Sequence, residues 1–150
     1  MESILITGAS GFIGSFIVAE ALKRGYDVWA GIRRTSSKHY LKDSKIHFFV
    51  TDFSSPKQLA ADLSDYKKQY GSFDYVIHCA GVTKCIDKND FEKVNFLQTK
   101  LLVDTLMSLG MVPKQFIYIS TLSIFGAVHE KDYLPISEDD AMIPNTQYGI

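Results

Sequence analysis

Short apolar runs alternate with helical patterns along the whole chain. Ile4 to Ile6 is a strand-sized apolar run that stops at Thr7. Such a run, bounded by turn residues, is typical of a buried strand. The same pattern recurs further on and predicts four more strands at residues 27–32, 46–50, 75–79 and 115–119.

Three stretches between these runs have apolar residues at the spacing of a helix. The first begins at Phe12 and ends before Gly25, the second covers residues 56–70, and the third covers residues 90–109. Pro56 suits a first helical turn, and Gly110 is placed to end the third helix. Residues 34–44 have neither period, so we expect a loop there with one helical turn at most. Strands joined by helical crossovers predict an α/β fold, a doubly wound parallel sheet with helices on both faces.

Three glycines separate the first strand from the first helix. Gly8 lets the chain leave the strand sharply, Gly11 allows phosphate to approach the backbone, and Gly14 lets helix and strand pack closely. The unpaired N–H groups of the helix then face the negative charge, which is how a dinucleotide pyrophosphate is held. The spacing is one residue looser than G-x-G-x-x-G, and an ordinary tight turn is the alternative interpretation.

The end of the second predicted strand bears on the choice of cofactor. Proteins that prefer NAD usually have a carboxylate about twenty residues past the glycines to bind the ribose 2′-OH. This chain has Arg33 and Arg34 there instead, followed by Ser36, Ser37 and Lys38. A guanidinium can bind a 2′-phosphate, so the sequence favours NADP over NAD; a solvated basic loop is the alternative. Asp52, after the third strand, could receive an adenine amino group or lie in a helix N-cap region.

Composition limits the classes of partner. The chain has 150 residues, which predicts one domain over residues 1–150, and its formal net charge is -1 with 46% apolar residues. That balance gives no electrostatic case for nucleic acid or a membrane surface as the partner. The two cysteines and four histidines have no metal-ligand spacing, so we predict no metal site, and we interpret His78 as a packed strand-end residue. With no signal-peptide pattern, a reducing cytoplasm is the expected location.

Several motifs together resemble one family. They are TGASGFIG at 7–14, TDF around Asp52, HCAGV at 78–82, VNFLQT at 94–99, YISTLSIFG at 118–126 and the final NTQYG. In this order the chain resembles the N-terminal part of an extended short-chain dehydrogenase/reductase, the group that contains nucleotide-sugar epimerases, dehydratases and related reductases.

The resemblance implies roles for single residues. Tyr148 matches the tyrosine that exchanges a proton with the substrate oxygen while a hydride moves to or from the nicotinamide. Thr121 matches the hydroxyl that holds this oxygen, with Ser120 and Ser123 as alternatives, and Asn95 matches a helix asparagine that helps place a catalytic lysine. The cofactor-binding residues that we expect are Thr7, Gly8, Ser10, Gly11, Phe12, Ile13, Gly14, Arg33, Asp52, Phe53, Ala80 and Gly81.

Two features depart from the family pattern. The family's lysine follows its tyrosine by four residues, and this sequence ends at Ile150, before that position. We therefore expect an incomplete dinucleotide-binding domain, truncated after five to six strands, without the substrate-binding part. Leu122 and Ser123 stand where sugar 4,6-dehydratases have an acidic pair, which argues against dehydration.

Two functional hypotheses follow from these observations. The first is an NAD(P)-dependent epimerase or reductase that acts on a carbonyl or alcohol substrate, such as a nucleotide sugar, and that forms a homodimer in its full length. The 150-residue chain alone is then expected to bind the cofactor without turnover. The second is a non-catalytic NADP-binding sensor or scaffold protein, and the presence of Thr121 and Tyr148 favours the first.

Overall fold

Five parallel strands form one sheet in the computed structural model, which describes residues 1–150. β1 extends one residue beyond the predicted run at each end, β2 coincides with its prediction, and the other three strands are each one residue shorter than predicted. Their spatial order is β3–β2–β1–β4–β5. They are β1 (Ser3–Thr7), β2 (Asp27–Ile32), β3 (His47–Val50), β4 (Tyr75–His78) and β5 (Gln115–Tyr118).

The order of the strands reverses at β1, which lies at the centre of the sheet. Thr7 at the end of β1 is in register with Gly31 of β2 on one side and with His78 of β4 on the other. In an open α/β sheet, ligands bind beyond the carboxyl ends of the strands at this reversal. The fold therefore predicts a ligand site at the residues that immediately follow Thr7 and His78.

Helices cover both faces of the sheet, as the sequence predicts. Helix α1 (Phe12–Lys23) packs on one face, where Val18 and Ala21 contact a cluster that includes Ile4, Ile6 and Val28. Helix α2 (Pro56–Tyr70) packs on the other face through Leu59, Leu63 and Tyr66. The central strands β1 and β2 are buried along most of their length, as expected for parallel strands covered on two faces, whereas β5 has no fully buried residue.

The predicted helix at residues 90–109 is not one regular helix. It consists of a short α3 (Asn89–Phe91), a π-helical segment (Glu92–Leu97) and α4 (Gln98–Ser108), which packs beside α2 through Leu102 and Leu106. Periodicity does not reveal the inserted residue of a π turn, because the apolar face continues on both sides of it. Residues 34–44 contain turns and no helix, and no helix is long and apolar enough to cross a membrane.

Candidate functional site

The glycine turn after β1 lies directly against the loop after β4. Gly8 has a φ of +65°, and a Cβ built on it would stand 2.7 Å from the backbone nitrogen of Ala80. A Cβ on Gly14 would stand 2.3 Å from the carbonyl oxygen of Gly8. Both positions therefore require glycine, one for its left-handed backbone and one for close packing of α1 on the turn.

The N-terminus of α1 is open. Gly11 is the N-cap residue, and no side chain accepts a hydrogen bond from the first N–H groups of this helix. A Cβ on Gly11 would meet only the carbonyl oxygen of Gly8, at 3.2 Å, so its outer side is free. The first N–H groups of a helix have no partner within it and attract anions. The turn from Gly8 to Gly14 therefore fits the pyrophosphate of a dinucleotide.

Basic and acidic side chains follow β2 and β3. Arg33 is exposed, and its backbone N–H donates to the hydroxyl of Ser36, 3.1 Å away, in a turn at the end of β2. The carboxylate of Asp52 accepts from both the N–H and the hydroxyl of Ser54 through Oδ1, at 3.0 and 2.6 Å. These two bonds, with the nearby charge of Arg34, hold the pKa of Asp52 below its usual value. Asp52 is thus ionised, and it caps its own turn rather than the first turn of α2.

The side chain of Asn95 fixes the loop after β4. Its Oδ1 accepts from the N–H of Val82 at 2.8 Å, and its Nδ2 donates to the carbonyl of the same residue at 3.0 Å. Asn95 lies in the π-helical segment, whose altered turn aims the amide at the loop. A Cβ on Gly81 would stand 3.0 Å from Oδ1 of Asn95, so this glycine allows the close contact.

His78 ends β4 and is completely buried. Its Nδ1 is 2.7 Å from Oγ1 of Thr7, and its Nε2 is 2.9 Å from Oγ1 of Thr99. The Thr99 hydroxyl donates in turn to the carbonyl of Asn95. Burial lowers the pKa of His78 to about 4, so the ring is neutral near neutrality. The sequence interpretation of a packed strand-end histidine is correct, but it missed these two polar contacts.

Two glycines dock the last segment of the chain beside the residues that follow β5. A Cβ on Gly126 would stand 2.1 Å from the carbonyl oxygen of Ile143, and one on Gly149 would stand 2.3 Å from that of Ser123. The segment from Ile143 to Gly149 therefore lies against the 3-10 helix Leu122–Phe125. This packing brings Tyr148 to the same edge of the sheet as Thr121.

The two residues expected to do chemistry have defined neighbours. Thr121 precedes the 3-10 helix, and its Oγ1 accepts from the N–H of Ser123 at 3.2 Å. The ring of Tyr148 is half-buried and lies 5.5 Å from that of Phe91, measured between centroids. The phenol of Tyr148 is also close enough to Tyr118 to raise the pKa of Tyr118, together with the larger effect of burial.

The expected site residues lie at one end of the sheet, the end at which the carboxyl ends of the parallel strands meet. Thr7 is the last residue of β1, and Tyr148 reaches this end of the sheet through the docking of Gly149 on Ser123. The other expected residues follow the carboxyl ends of strands or lie in the first turn of α1: Gly8, Ser10, Gly11, Phe12, Ile13, Gly14, Arg33, Asp52, Phe53, Ala80, Gly81 and Thr121. Asn95 reaches this edge through Val82. Phe53 packs edge-on against His78, with centroids 6.0 Å apart.

Sequence reasoning gave no role to two residues that support this edge. Thr99 connects His78 to Asn95, and its position four residues after Asn95 is the signal that could have found it. Gly31 lies in β2 with a would-be Cβ 3.1 Å from both the Ile6 oxygen and the Thr7 Cα, and its carbonyl accepts from the N–H of Ala9. An isolated glycine inside a strand pattern indicates such a close approach.

The chain is similar in sequence to one protein family and to several known enzymes. The sequence model of one family, the NAD dependent epimerase/dehydratase family, matches residues 4–150. A bifunctional dihydroflavonol 4-reductase/flavanone 4-reductase from Pyrus communis is 40% identical over 96 residues, which are 61% of this chain and 25% of that protein. UDP-arabinose 4-epimerase 1 from Arabidopsis thaliana is 29% identical over 158 residues, which cover 97% of this chain and 36% of that enzyme.

The fold is also that of a solved structure. The UDP-Glc/GlcNAc 4-epimerase from Campylobacter jejuni superposes with a TM-score of 0.81 and is 24% identical in sequence. The match covers 99% of this chain and 45% of the epimerase chain. The chain therefore spans less than half the length of each of these three proteins.

Proposed function

Because the chain belongs to the NAD dependent epimerase/dehydratase family, we propose that it carries the dinucleotide site and part of the catalytic site of an NADP-dependent epimerase or reductase. The observation on which this rests is the glycine turn, which lies at the reversal of strand order with an uncapped helix N-terminus beside it. Gly8, Gly11 and Gly14 would hold the pyrophosphate there. Ala80 and Gly81, on the neighbouring loop, would bind the nicotinamide half.

Thr121 and Tyr148 are the proposed catalytic residues. A bound nicotinamide dinucleotide would supply the hydride exchange with the reacting carbon. Tyr148 would then move the proton to or from the substrate oxygen, and Thr121 would hold that oxygen in place. The Oγ1 of Thr121 accepts from Ser123, so its own hydrogen remains free to donate to a substrate oxygen. Asn95 would act indirectly, through the loop that it holds at Val82.

Arg33 supports the proposed preference for NADP. Its side chain is exposed at the end of β2, and residues 33–42, which follow this strand, contain no carboxylate that would bind a 2′-OH. The side chain is in no ion pair, so its guanidinium is free for a bidentate contact with phosphate.

A nucleotide sugar is the proposed substrate class. Two of the similar proteins are 4-epimerases of UDP-sugars by their names, whereas the Pyrus communis enzyme is a reductase of flavonoids. Epimerase and reductase both need the same hydroxyl and tyrosine, so these residues leave both activities in the proposal. We also propose that the full-length protein forms a homodimer and is located in a reducing cytoplasm, because two cysteines in 150 residues are too few for a disulfide framework.

The test is a pair of fluorescence titrations with NADPH and NADH. We expect tighter binding of NADPH, and Arg33→Ala should weaken NADPH by about tenfold or more, the range for loss of a charged hydrogen-bond pair, while NADH changes little. Arg24→Ala is the matched control, because this exposed arginine at the far end of α1 bonds only Glu20. Equal affinities for the two cofactors would contradict the NADP preference, and absence of binding of either would contradict the dinucleotide site.

A further inference from the structure

A single line of hydrogen bonds connects the glycine turn to α4 through His78. The Thr99 hydroxyl donates its hydrogen to the Asn95 carbonyl at 2.6 Å, since a carbonyl can only accept. The nearby Nε2 of His78, 2.9 Å from Thr99 Oγ1, must therefore be the donor in that contact. The donor assignment leaves one tautomer, a neutral ring with its proton on Nε2.

The other ring nitrogen completes the line. Nδ1 without a proton accepts from the Thr7 hydroxyl at 2.7 Å, and Oγ1 of Thr7 is then free to accept from the N–H of Ala80 at 3.3 Å. The donors run in order from Ala80 to Thr7 to His78, and from His78 to Thr99 to Asn95. A histidine bonded at both nitrogens has its ring orientation and its tautomer fixed.

Both ends of this line return to the same loop. One end is the N–H of Ala80, and the other reaches Val82 through the side chain of Asn95, which bonds both its N–H and its carbonyl. His78 therefore lies between two independent supports of the short loop 80–82. Gly81, in the middle of the loop, is exposed and has no Cβ to pack, so the loop is held by these hydrogen bonds together with the close packing of Ala80 on Gly8.

The ring of His78 is enclosed by aromatic side chains. Phe53 contacts it edge-on, and the ring of Tyr118 is stacked 5.9 Å away. The side chain is fully buried, and desolvation lowers its pKa to about 4, in agreement with a neutral ring that has no charged partner. A buried polar group is stable only if its hydrogen bonds are made, so Thr7 and Thr99 are required partners.

We propose that His78 is a positioning residue of the site: a neutral ring that links Thr7 to Thr99 and so holds the loop 80–82 in the shape that receives a dinucleotide. Its side chain is fully buried, so the proposed role is to position the loop and not to contact cofactor or substrate. The part of this statement that concerns the dinucleotide rests on the proposed function, and the part that concerns the loop does not.

Two conservative variants separate the halves of the line. In His78→Asn, the amide oxygen takes the place of Nδ1 and can still accept from Thr7. In His78→Gln, the longer amide reaches the place of Nε2 and can still donate to Thr99. We expect the Ala80 amide to exchange with solvent about tenfold faster in His78→Gln, and the Val82 amide about tenfold faster in His78→Asn. Exchange at Leu5 and Val76, in the buried centre of the sheet, reports the stability of the whole chain.

Because each of these two variants should speed amide exchange at only one of the two loop residues, the exchange rates distinguish positioning of the loop from a general loss of stability. His78→Phe should speed exchange at both loop amides relative to the core, and His47→Gln, an exposed histidine on β3, should change neither. Equal acceleration at Ala80, Val82 and the core in every His78 variant would overturn the proposal. Nitrogen NMR of the unmodified chain tests the proposal without any variant. A His78 ring with a proton on Nε2 and none on Nδ1 between pH 5.5 and 8 supports the proposal, and any other protonation state overturns it.

A dinucleotide titration of the same variants tests the link to function. NADPH affinity should fall in the order of the loop exchange rates, with His78→Phe weakest. Unchanged affinity in a variant with a fast-exchanging loop would overturn the link to the dinucleotide. Failure of the unmodified chain to bind either NADPH or NADH would count against the proposed function instead, while the exchange and NMR results would still decide the role of His78 in the loop.

Discussion

Gly8, at the end of β1, and Ala80, beyond β4, approach so closely that a Cβ on Gly8 would stand 2.7 Å from the Ala80 nitrogen. The glycine turn and the loop 80–82 are therefore packed against each other, with no room for a side chain between them. This contact joins the two strand ends that flank the reversal of the sheet. The site depends on it, because each loop limits the positions that the other can take.

Replacing Gly8 by alanine should strongly destabilise the chain. An alanine at this position would have to adopt the left-handed backbone at φ +65°, and its Cβ would overlap the backbone of Ala80. Together these two effects should lower the free energy of unfolding by about 3 kcal/mol. Gly25→Ala is the control, since Gly25 has φ +83° with no atom near its would-be Cβ, and we expect about 1 kcal/mol there. Denaturant unfolding measures both, and equal losses would show that the approach to Ala80 is not tight.

Gly11 and Gly14 should differ in what alanine does to them. Gly14→Ala places its Cβ 2.3 Å from the Gly8 oxygen and should lower the free energy of unfolding by about 2 kcal/mol. Gly11→Ala meets that oxygen only at 3.2 Å and should fold nearly normally, but its methyl group would stand where phosphate approaches. Thermal unfolding and NADPH titration together check this; a Gly11→Ala chain that binds normally would contradict it.

Tyr148→Phe should separate binding from chemistry. Removing the hydroxyl keeps the ring that contacts Phe91, so NADPH affinity should change less than about twofold. Under the proposed function, turnover of a nucleotide sugar by the full-length protein should fall about 100- to 10,000-fold, the usual contribution of general acid–base catalysis. Tyr133→Phe is the control, because Tyr133 is 88% exposed. Retained turnover in Tyr148→Phe would assign the proton transfer to another group.

Acid should destabilise the chain through His78. Burial lowers its pKa from 6.5 to about 4, so below pH 6.5 the unfolded chain binds a proton that the folded chain excludes. The free energy of unfolding should therefore fall between pH 6.5 and 4, by about 3 kcal/mol in all. In His78→Gln this contribution is absent, and urea unfolding at a series of pH values measures the difference. Parallel curves for the two proteins would contradict it.

His129 should show the opposite dependence. Partial burial opposes its charge, but hydrogen bonds to Asp140 and Asp132 outweigh that effect and raise the pKa of His129 above 6.5. The contribution of His129 to the free energy of unfolding is therefore fully present below pH 6.5 and is lost as the pH rises through the raised pKa. NMR titration of the ring should give this pKa, and Asp140→Asn should lower it. Asp139→Asn, whose residue does not contact His129, should leave the pKa unchanged.

Local sequence determined much of this fold. The strands β2 and β1 and the helix α2 were predicted at or within a residue of their ends, because buried strands and an amphipathic helix have periods that survive any tertiary arrangement. The glycine turn was predicted for a similar reason. Its backbone conformation and its helix N-terminus are properties of neighbouring residues in the chain.

The tertiary structure alone decided what these elements do together. The π turn that aims Asn95 at Val82, the ring of His78 between Thr7 and Thr99, and the docking of Gly149 on Ser123 all join residues that are distant in sequence. No local pattern records such pairs, because a hydrogen bond or a close backbone contact depends on where two elements meet. The sequence by itself thus determined the elements and the glycine turn. The pairing of β4 with both β1 and β5, and the docking of Gly149 on Ser123, decided that this turn, the loop 80–82 and the proposed catalytic residues lie at the same end of the sheet.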